Sequence, residues 1–71
     1  MDKVVTEFGA FMKKKRREKG LTQVEAARLL NISQAAYGRY ELGQRDPGLN
    51  MIFEIGRVLS FDPGEFFDQY R

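Results

Sequence analysis

Apolar residues recur every three to four positions along most of the chain, the spacing of a helix that buries one face, and no run alternates as a strand does. The pattern therefore predicts five helices and no strand. The apolar stripe of the first helix consists of Phe8, Phe11 and Met12. We predict that this helix begins at Val4 or Val5 and ends at Lys19. Gly20 follows as a natural stop, because glycine tolerates the left-handed conformation at a helix end.

Two short helices joined by a tight turn are predicted in the middle of the chain. Thr22 can cap the first, and Glu25 three residues later completes a capping box. Asn31 tolerates the left-handed conformation that ends a helix, and Ser33 can cap the second helix, which extends over residues 34–41. The apolar residues of the first helix and of the turn are Ala26, Ala27, Leu29, Leu30 and Ile32.

Two further helices are predicted after a loop. The apolar positions of the fourth helix are Leu49, Ile52, Phe53, Ile55, Gly56 and Leu59, with Asn50 as a possible cap. Glycine lowers helix stability, so we expect Gly56 to mark close packing by another helix. Asp62 and Pro63 open the last helix, as its cap and its first residue. Phe61 and Phe66 are expected in the core.

The composition indicates one domain, residues 1–71, and limits its chemistry. The 71 residues include no histidine and no cysteine, the commonest residues of metal sites and of acid–base chemistry near neutral pH. We therefore expect no metal, no cofactor and no enzymatic activity, and no small-molecule ligand is evident. The chain has neither an apolar run of about 18 residues, as a membrane span needs, nor a signal-peptide core. A cytoplasmic protein is expected.

The net charge of +2 is unevenly distributed. Residues 1–45 carry ten Lys or Arg and five Asp or Glu, a net of +5, whereas residues 46–71 carry two and five, a net of −3. A basic front half suggests a polyanionic partner. The basic run from Lys13 to Arg17 has two interpretations, a nucleic-acid or import patch and a solvated helix face with its cations near the C-terminal end of the helix dipole.

The helix pair and its flanks resemble the helix-turn-helix of the phage-repressor family, the lambda repressor and Cro-like (XRE-type) DNA-binding domains. The resemblance covers about residues 8 to 67. The residues that carry it are Arg16, Gly20, Leu21, Thr22, Gln23, Ala26, Ala27, Leu30, Ile32, Ser33, Glu41, Gly43, Pro47, Ile55, Val58 and Leu59. The chain departs from the family pattern at three positions. Asn31 replaces the usual glycine of the turn, Lys15 stands where the family usually has a leucine, and Gly56 stands where it usually has an alanine. The resemblance implies an all-α, compact five-helix domain with the helix-turn-helix at helices 2 and 3.

The resemblance also implies a sequence-specific regulator of transcription, most often a repressor, that reads the major groove of double-stranded DNA with helix 3. The residues expected at the DNA are Thr22, Gln23, Ser33, Gln34, Ala35, Gly38, Arg39, Gln44 and Arg45. The amide of Gln34 suits adenine, the methyl of Ala35 suits thymine, and Arg39 suits guanine or a phosphate equally well. Gln23 resembles the family glutamine that touches a phosphate and braces Gln34. Gly38 either allows close approach to the groove or has no role.

Three expectations complete the sequence-based picture. The family resemblance implies that Arg16 pairs with Glu41 and holds helix 1 against the end of helix 3.

Because one helix reads too few base pairs for a specific site, we expect a homodimer, with Phe67 and Tyr70 as its interface. The alternative is that both residues only cover helix 4. The alternative function is a protein-interaction module, such as an antitoxin-like subunit with a protein partner.

Overall fold

The computed structural model describes residues 2–71, and the regular secondary structure in that part of the chain is all helical, with no strand. The five helices and the short 3₁₀ turn that follows them are α1 (Lys3–Glu18), α2 (Gln23–Leu29), α3 (Gln34–Glu41), α4 (Leu49–Leu59), α5 (Pro63–Phe67) and the turn Asp68–Tyr70. This order confirms the predicted all-α, five-helix architecture with the helix-turn-helix at α2 and α3. Within the described residues, no helix combines the length and the apolar character that crossing a membrane requires.

Local capping explains where the first three helices begin. The Asp2 carboxylate accepts the backbone N–H of Val4 at 2.8 Å, so α1 begins slightly before the predicted start at residue 4 or 5. Thr22 and Glu25 form the predicted capping box, with bonds of 2.8 and 3.1 Å. The hydroxyl of Ser33 accepts a backbone N–H at the start of α3, as predicted.

The two helices of the C-terminal part begin differently from each other. Helix α4 starts after Gly48, which has a φ of +83°, and it has no side-chain cap. The prediction that Asn50 caps this helix was wrong, because Asn50 already lies in its first turn. Helix α5 begins as predicted, with Pro63 as its first residue and the Asp62 carboxylate accepting a backbone N–H at 2.9 Å.

One hydrophobic core joins all five helices. Its buried members are Phe8, Met12, Ala26, Ala27, Leu30, Tyr37, Tyr40, Ile55, Val58, Leu59, Phe61 and Phe66. The two tyrosines of α3 and the predicted pair Phe61 and Phe66 are therefore core residues. The placement of Leu29 on the apolar face of α2 was wrong, since its side chain is 56% exposed. At about 100° per residue, Leu29 points away from the side of α2 that Ala26, Ala27 and Leu30 bury.

Two glycines mark the closest approaches between backbone segments. A Cβ atom at Gly56 would lie 2.7 Å from the carbonyl oxygen of Phe61 and 3.2 Å from Pro63 Cδ. The predicted close packing at Gly56 is thus confirmed, but the packing partner is the segment that leads into α5, with Pro63 at its first position, and not the body of another helix. A Cβ atom at Gly9 would collide with the carbonyl oxygens of Tyr40 and Glu41. Gly9 therefore lets α1 cross the end of α3 at backbone contact.

Candidate nucleic-acid interface

Helix α3 divides its residues between the core and the outside. Tyr37 is completely buried, and Tyr40 is buried with it on the same side. The opposite side presents Gln34, Ala35 and Arg39 as exposed residues, with Gly38 partly covered between them. At about 100° per residue, Gln34, Gly38, Ala35 and Arg39 fall within a single arc of the helix. The structure therefore brings these four predicted DNA contacts together on one outward face.

Gln34 is held in place from the N-terminus of α2. Its side-chain Nε2 donates to Gln23 Oε1 at 3.0 Å. Gln23 in turn donates through its own Nε2 to Glu41 Oε1, also at 3.0 Å. Among the described residues, this bond uses one N–H of the Gln34 amide and leaves its second N–H and its carbonyl oxygen free. One free donor beside one free acceptor is the pattern that matches adenine N7 and N6.

The far end of this hydrogen-bond chain is a buried ion pair. Arg16 Nε donates to Glu41 Oε2 at 2.7 Å, and Arg16 Nη2 donates to Glu41 Oε1 at 3.2 Å. The third bond of the guanidinium goes to the carbonyl oxygen of Leu21 at 2.9 Å, at the start of the helix-turn-helix. One arginine of α1 thus contacts both the entry to α2 and the end of α3, which fixes the two helices relative to α1.

The environment of the pair shifts the pKa values of its members. Burial alone would raise the pKa of the Glu41 carboxyl, but the hydrogen bonds from Arg16 and Gln23 outweigh burial and hold that pKa below its usual value. The bond to Glu41 likewise raises the pKa of Arg16. Both groups are therefore charged at neutral pH. The nearby Tyr37 hydroxyl is buried without a hydrogen-bond partner among the described residues, and burial raises its pKa.

The helix N-termini and the loop after α3 hold the other predicted contacts. The hydroxyls of Thr22 and Ser33 accept capping bonds, so each keeps its O–H to donate to an anion. The backbone N–H of Thr22 donates to Glu25 Oε1 at 2.8 Å, so the group that Thr22 can offer to DNA is its hydroxyl. Gln44 and Arg45 are exposed directly beyond α3, where Gln44 N–H bonds the carbonyl of Arg39 at 2.9 Å.

The structure adds one cation that the sequence-based site did not include. Arg28 lies on an open groove between α2 and α3 together with Ser33 and Gln34. Arg28 lies three residues after Glu25 of the capping box, and this sequence position is equally compatible with a solvated side chain. Among the described residues, Arg28, Arg39 and Arg45 take part in no ion pair.

The two residues expected at a dimer interface are already engaged within the chain. The Phe67 ring stacks on Phe8 at a centroid distance of 5.9 Å, and the side chain is 36% exposed. Tyr70 packs on Phe66 at 5.4 Å, and its hydroxyl donates to Glu7. That hydrogen bond raises the pKa of Tyr70 to about 12. Each ring therefore presents only part of its surface outward.

Two capped helices joined by a tight turn, with a polar outward face on the second, define a helix-turn-helix DNA-binding domain. A family model for this motif, described as helix-turn-helix, matches residues 12–66. The chain therefore belongs to the helix-turn-helix family of the XRE, lambda repressor-like type, a family of DNA-binding domains.

Curated relatives from Bacillus subtilis (strain 168) are similar to this chain. The uncharacterized HTH-type transcriptional regulator YqaF is 41% identical over 58 residues, which is 82% of this chain and 76% of that protein. The SPbeta prophage-derived uncharacterized HTH-type transcriptional regulator YonR is 36% identical over 52 residues, or 73% of this chain. The chain spans about half the length of YonR, since the match covers 48% of it.

Two solved structures share the architecture. The restriction-modification controller protein C.AhdI from Aeromonas hydrophila superposes with a TM-score of 0.82 at 32% identity, over 89% of this chain and 91% of that one. The clp gene regulator ClgR from C. glutamicum superposes with a TM-score of 0.87, over 97% of this chain and 90% of that one. At 17% identity the likeness to ClgR concerns the fold alone.

Proposed function

We propose that this domain binds a specific sequence of double-stranded DNA by inserting α3 into the major groove, and that it represses transcription by occupying its site. The observation that carries this proposal is the amide of Gln34, which is exposed at the start of α3 and held by Gln23 in a fixed orientation. A preoriented donor and acceptor pair loses less conformational freedom than a freely rotating amide when it binds the one base edge that it matches.

The proposed roles of the other contacts follow from their positions. Ala35 and Arg39 accompany Gln34 on the outward face of α3, where they reach base edges or, for Arg39, a phosphate. Phosphate contacts from the N-termini of α2 and α3 and from the loop after α3 then fix how deeply α3 enters the groove and where it lies along the DNA. The residues assigned to phosphate contacts are Thr22, Gln23, Ser33, Gln44 and Arg45.

We further propose that the domain acts by binding and not by catalysis, and that it does so at the nucleoid in the cytoplasm. We also propose that it acts as a homodimer. One recognition helix reads only a few base pairs, which is too few for a unique site in a genome. A two-fold symmetric pair doubles the site and reads an inverted repeat. Phe67 and Tyr70 are the interface residues that the sequence predicted, and each retains an exposed part of its ring that supports a place at the edge of a dimer contact.

The experiment that tests DNA binding is a fluorescence anisotropy titration with a labelled duplex at several salt concentrations. Each cation that neutralises a phosphate contributes about one unit to the slope of log affinity against log salt. We expect Arg45→Ala to reduce this slope by about one. The matched control is Arg71→Ala, at the other end of the chain, which should leave the slope unchanged. Equal slopes for wild type and Arg45→Ala would contradict the assignment, and no binding at low salt would contradict the function.

A further inference from the structure

The basic run from Lys13 to Arg17 separates into two groups in the structure. Lys15 pairs with a glutamate of α5, and Arg16 is buried in its pair with the end of α3, so both are used within the fold. The side chains of Lys13, Lys14 and Arg17 are exposed, and none of them takes part in an ion pair among the described residues. Three cations of the run are therefore available to a partner.

Two of these cations share one side of α1. Lys13 and Arg17 are four residues apart and lie one above the other on the helix, whereas Lys14 points about 100° away from Lys13. Helix α1 contains two acidic residues, and both are engaged elsewhere. Glu7 accepts a hydrogen bond from a hydroxyl of the C-terminal turn, and Glu18 pairs with a neighbouring lysine. Neither carboxylate pairs with Lys13 or Arg17.

The two charges are unfavourable for the helix itself. Like charges four residues apart destabilise a helix. Arg17 lies in the last turn of α1, where the helix dipole favours a cation, but Lys13 lies one turn earlier, where this effect has fallen off. The dipole therefore does not account for the pair. A polyanion bound along this side of α1 would remove the repulsion.

This side of α1 extends from the loop after α3 to the turn before α2. A Cβ atom at Gly43, in that loop, would lie 2.7 Å from Thr6 Cα, and one at Gly9 would collide with the end of α3. Lys13 lies four residues after Gly9 and seven after Thr6, so it belongs to the same side, and Arg17 continues it. From Thr6 to Arg17 this side is about 16 Å long, at about 1.5 Å per residue. That length is enough to follow several phosphates of one DNA strand, which rise about 3.4 Å each. Both of its ends adjoin groups that we assign to phosphate contacts.

The same side of α1 points away from the core, as the recognition face of α3 does. Met12 and Tyr37 are completely buried and mark the core side of α1 and of α3. Around the axis of α1, Lys13 and Arg17 lie about 100° and 140° from Met12. Gly9, which contacts the end of α3, lies between them and the core, at about 60°. A duplex held against the outward face of α3 therefore has its backbone beside Lys13 and Arg17.

From these observations we infer that Lys13 and Arg17 bind phosphates of the duplex that α3 reads, and that they connect the phosphate contacts of the loop after α3 with those at the N-terminus of α2. The inference rests on the proposed function, because it adds contacts to the same DNA complex. Phosphates carry no sequence information, so the two residues contribute affinity and not base preference. Lys14 points away from this side and stays in solvent.

Anisotropy titrations with one duplex, between about 50 and 200 mM salt, test the two contacts. Lys13→Ala and Arg17→Ala should each lower the slope of log affinity against log salt by about one, which is a change of about threefold over this range. The matched control is Lys14→Ala, which removes the same charge from the same part of α1 and should keep the wild-type slope. Thermal melts should show an intact fold for all three variants, because the side chains are exposed and alanine favours a helix. Equal losses in all three variants would show a response to net charge alone and would overturn the inference.

Duplexes in which single phosphates are replaced by neutral methylphosphonates test direct contact. A phosphate that Lys13 binds should weaken wild-type binding when it is neutralised, but it should not weaken the binding of Lys13→Ala further, because the contact is already lost. Arg17→Ala should become insensitive at a neighbouring phosphate of the same strand. Lys14→Ala should keep the sensitivity of wild type at every position. If Lys13→Ala and Arg17→Ala also keep the wild-type sensitivity at every phosphate, the inference is wrong.

The remaining outcomes separate this inference from the proposed function. A wild type that binds duplex DNA, together with unchanged slopes for Lys13→Ala and Arg17→Ala, would overturn the inference and leave the proposed function in place. A wild type that binds no duplex at low salt would contradict the proposed function itself. Selection of bound sequences with the variant that carries both changes should return the wild-type site at lower affinity. A changed base preference would show that these residues do more than bind phosphates and would contradict the assignment.

Discussion

Gln34, on the outward face of α3, donates a hydrogen bond to Gln23 of α2 at 3.0 Å. The same Gln23 side chain donates to Glu41, which is paired with Arg16 of α1. The buried ion pair of Arg16 and Glu41 is therefore connected through the side-chain amide of Gln23 to Gln34, the exposed side chain that we propose reads a base. The orientation of Gln34 therefore depends on Gln23 and, behind it, on the buried pair of Arg16 and Glu41. The recognition face and the packing of the first three helices form one hydrogen-bonded unit.

The first prediction concerns the coupling between the two glutamines. We expect Gln23→Ala to weaken binding to the preferred DNA site, because it removes a phosphate contact and frees the Gln34 amide to rotate. In a double-mutant cycle with Gln34→Ala, the coupling energy should be about 0.5–3 kcal/mol, as for residues in one network. Anisotropy titrations of the four proteins on one duplex provide the measurement. Additive losses would show that Gln23 does not orient Gln34.

A second prediction concerns the ion pair between α1 and α3. Removal of either partner leaves a buried charge, so Arg16→Ala and Glu41→Ala should each lower the free energy of unfolding by about 3–5 kcal/mol. The double variant should lose less free energy of unfolding than the two single variants together, because it leaves no unpaired buried charge. Asp68→Ala, which breaks the exposed pair with Arg71, serves as the control and should melt like wild type. Melts of both single variants within about a degree of wild type would show that the pair contributes little.

The third prediction is a pH dependence that arises from Glu41. Its pKa lies below the ordinary value of 4.5, so the folded state favours the ionised carboxylate. The stability gained from ionisation is therefore present above that value and is lost as the pH falls through the lower folded pKa. Chemical denaturation of wild type and Glu41→Gln should show their largest difference in stability above pH 4.5 and a shrinking difference below it. A difference that stays constant into the acid range would contradict the lowered pKa.

The fourth prediction compares two helical glycines. Gly9→Ala should destabilise the fold by about 1–3 kcal/mol, because its methyl group meets two backbone carbonyls of α3. Gly38→Ala is the matched control, since its methyl would lie 3.5 Å from Gln23 Oε1 in ordinary contact. Helix propensity then favours alanine there by up to about 1 kcal/mol. Thermal melts should move in opposite directions, and a loss of stability in both variants would contradict the difference in packing.

Gly38→Ala also tests the recognition face. If α3 lies close to the groove at this position, the added methyl should weaken DNA binding even though the protein becomes more stable. Anisotropy with the preferred duplex measures this effect on a protein whose fold is intact. Unchanged affinity would show that Gly38 has no part in the approach to DNA.

The helix boundaries were largely predictable because capping is local. Thr22, Ser33 and Asp62 each bond a backbone N–H within three residues, so the sequence contains both partners. The same locality explains the wrong prediction for Asn50. It is a good capping residue, but Gly48 makes the turn two residues earlier and leaves Asn50 inside the helix.

The partners in contacts between distant segments were predictable where the family pattern supplied them. The pair of Arg16 and Glu41, 25 residues apart, came from the resemblance, whereas the backbone contact at Gly9 had no such signal. Lys15 departs from the family leucine, and its packing depends on tertiary structure in the same way. Its ammonium group bonds Glu65 of α5 at 2.8 Å and lies 5.3 Å from the centre of the Phe11 ring. The partner of a surface cation cannot be read from helix periodicity.

The central claim is that Gln34 at the start of α3 reads a base in a specific duplex. Selection of bound sequences from random duplexes, carried out with wild type and with Gln34→Ala, tests it most directly. We predict an inverted repeat for wild type. Gln34→Ala should lose about 1–3 kcal/mol of affinity and relax the preference at one base pair of each half-site, with the other positions unchanged. An identical sequence preference for the two proteins, or no enrichment of any sequence by wild type, would contradict the claim.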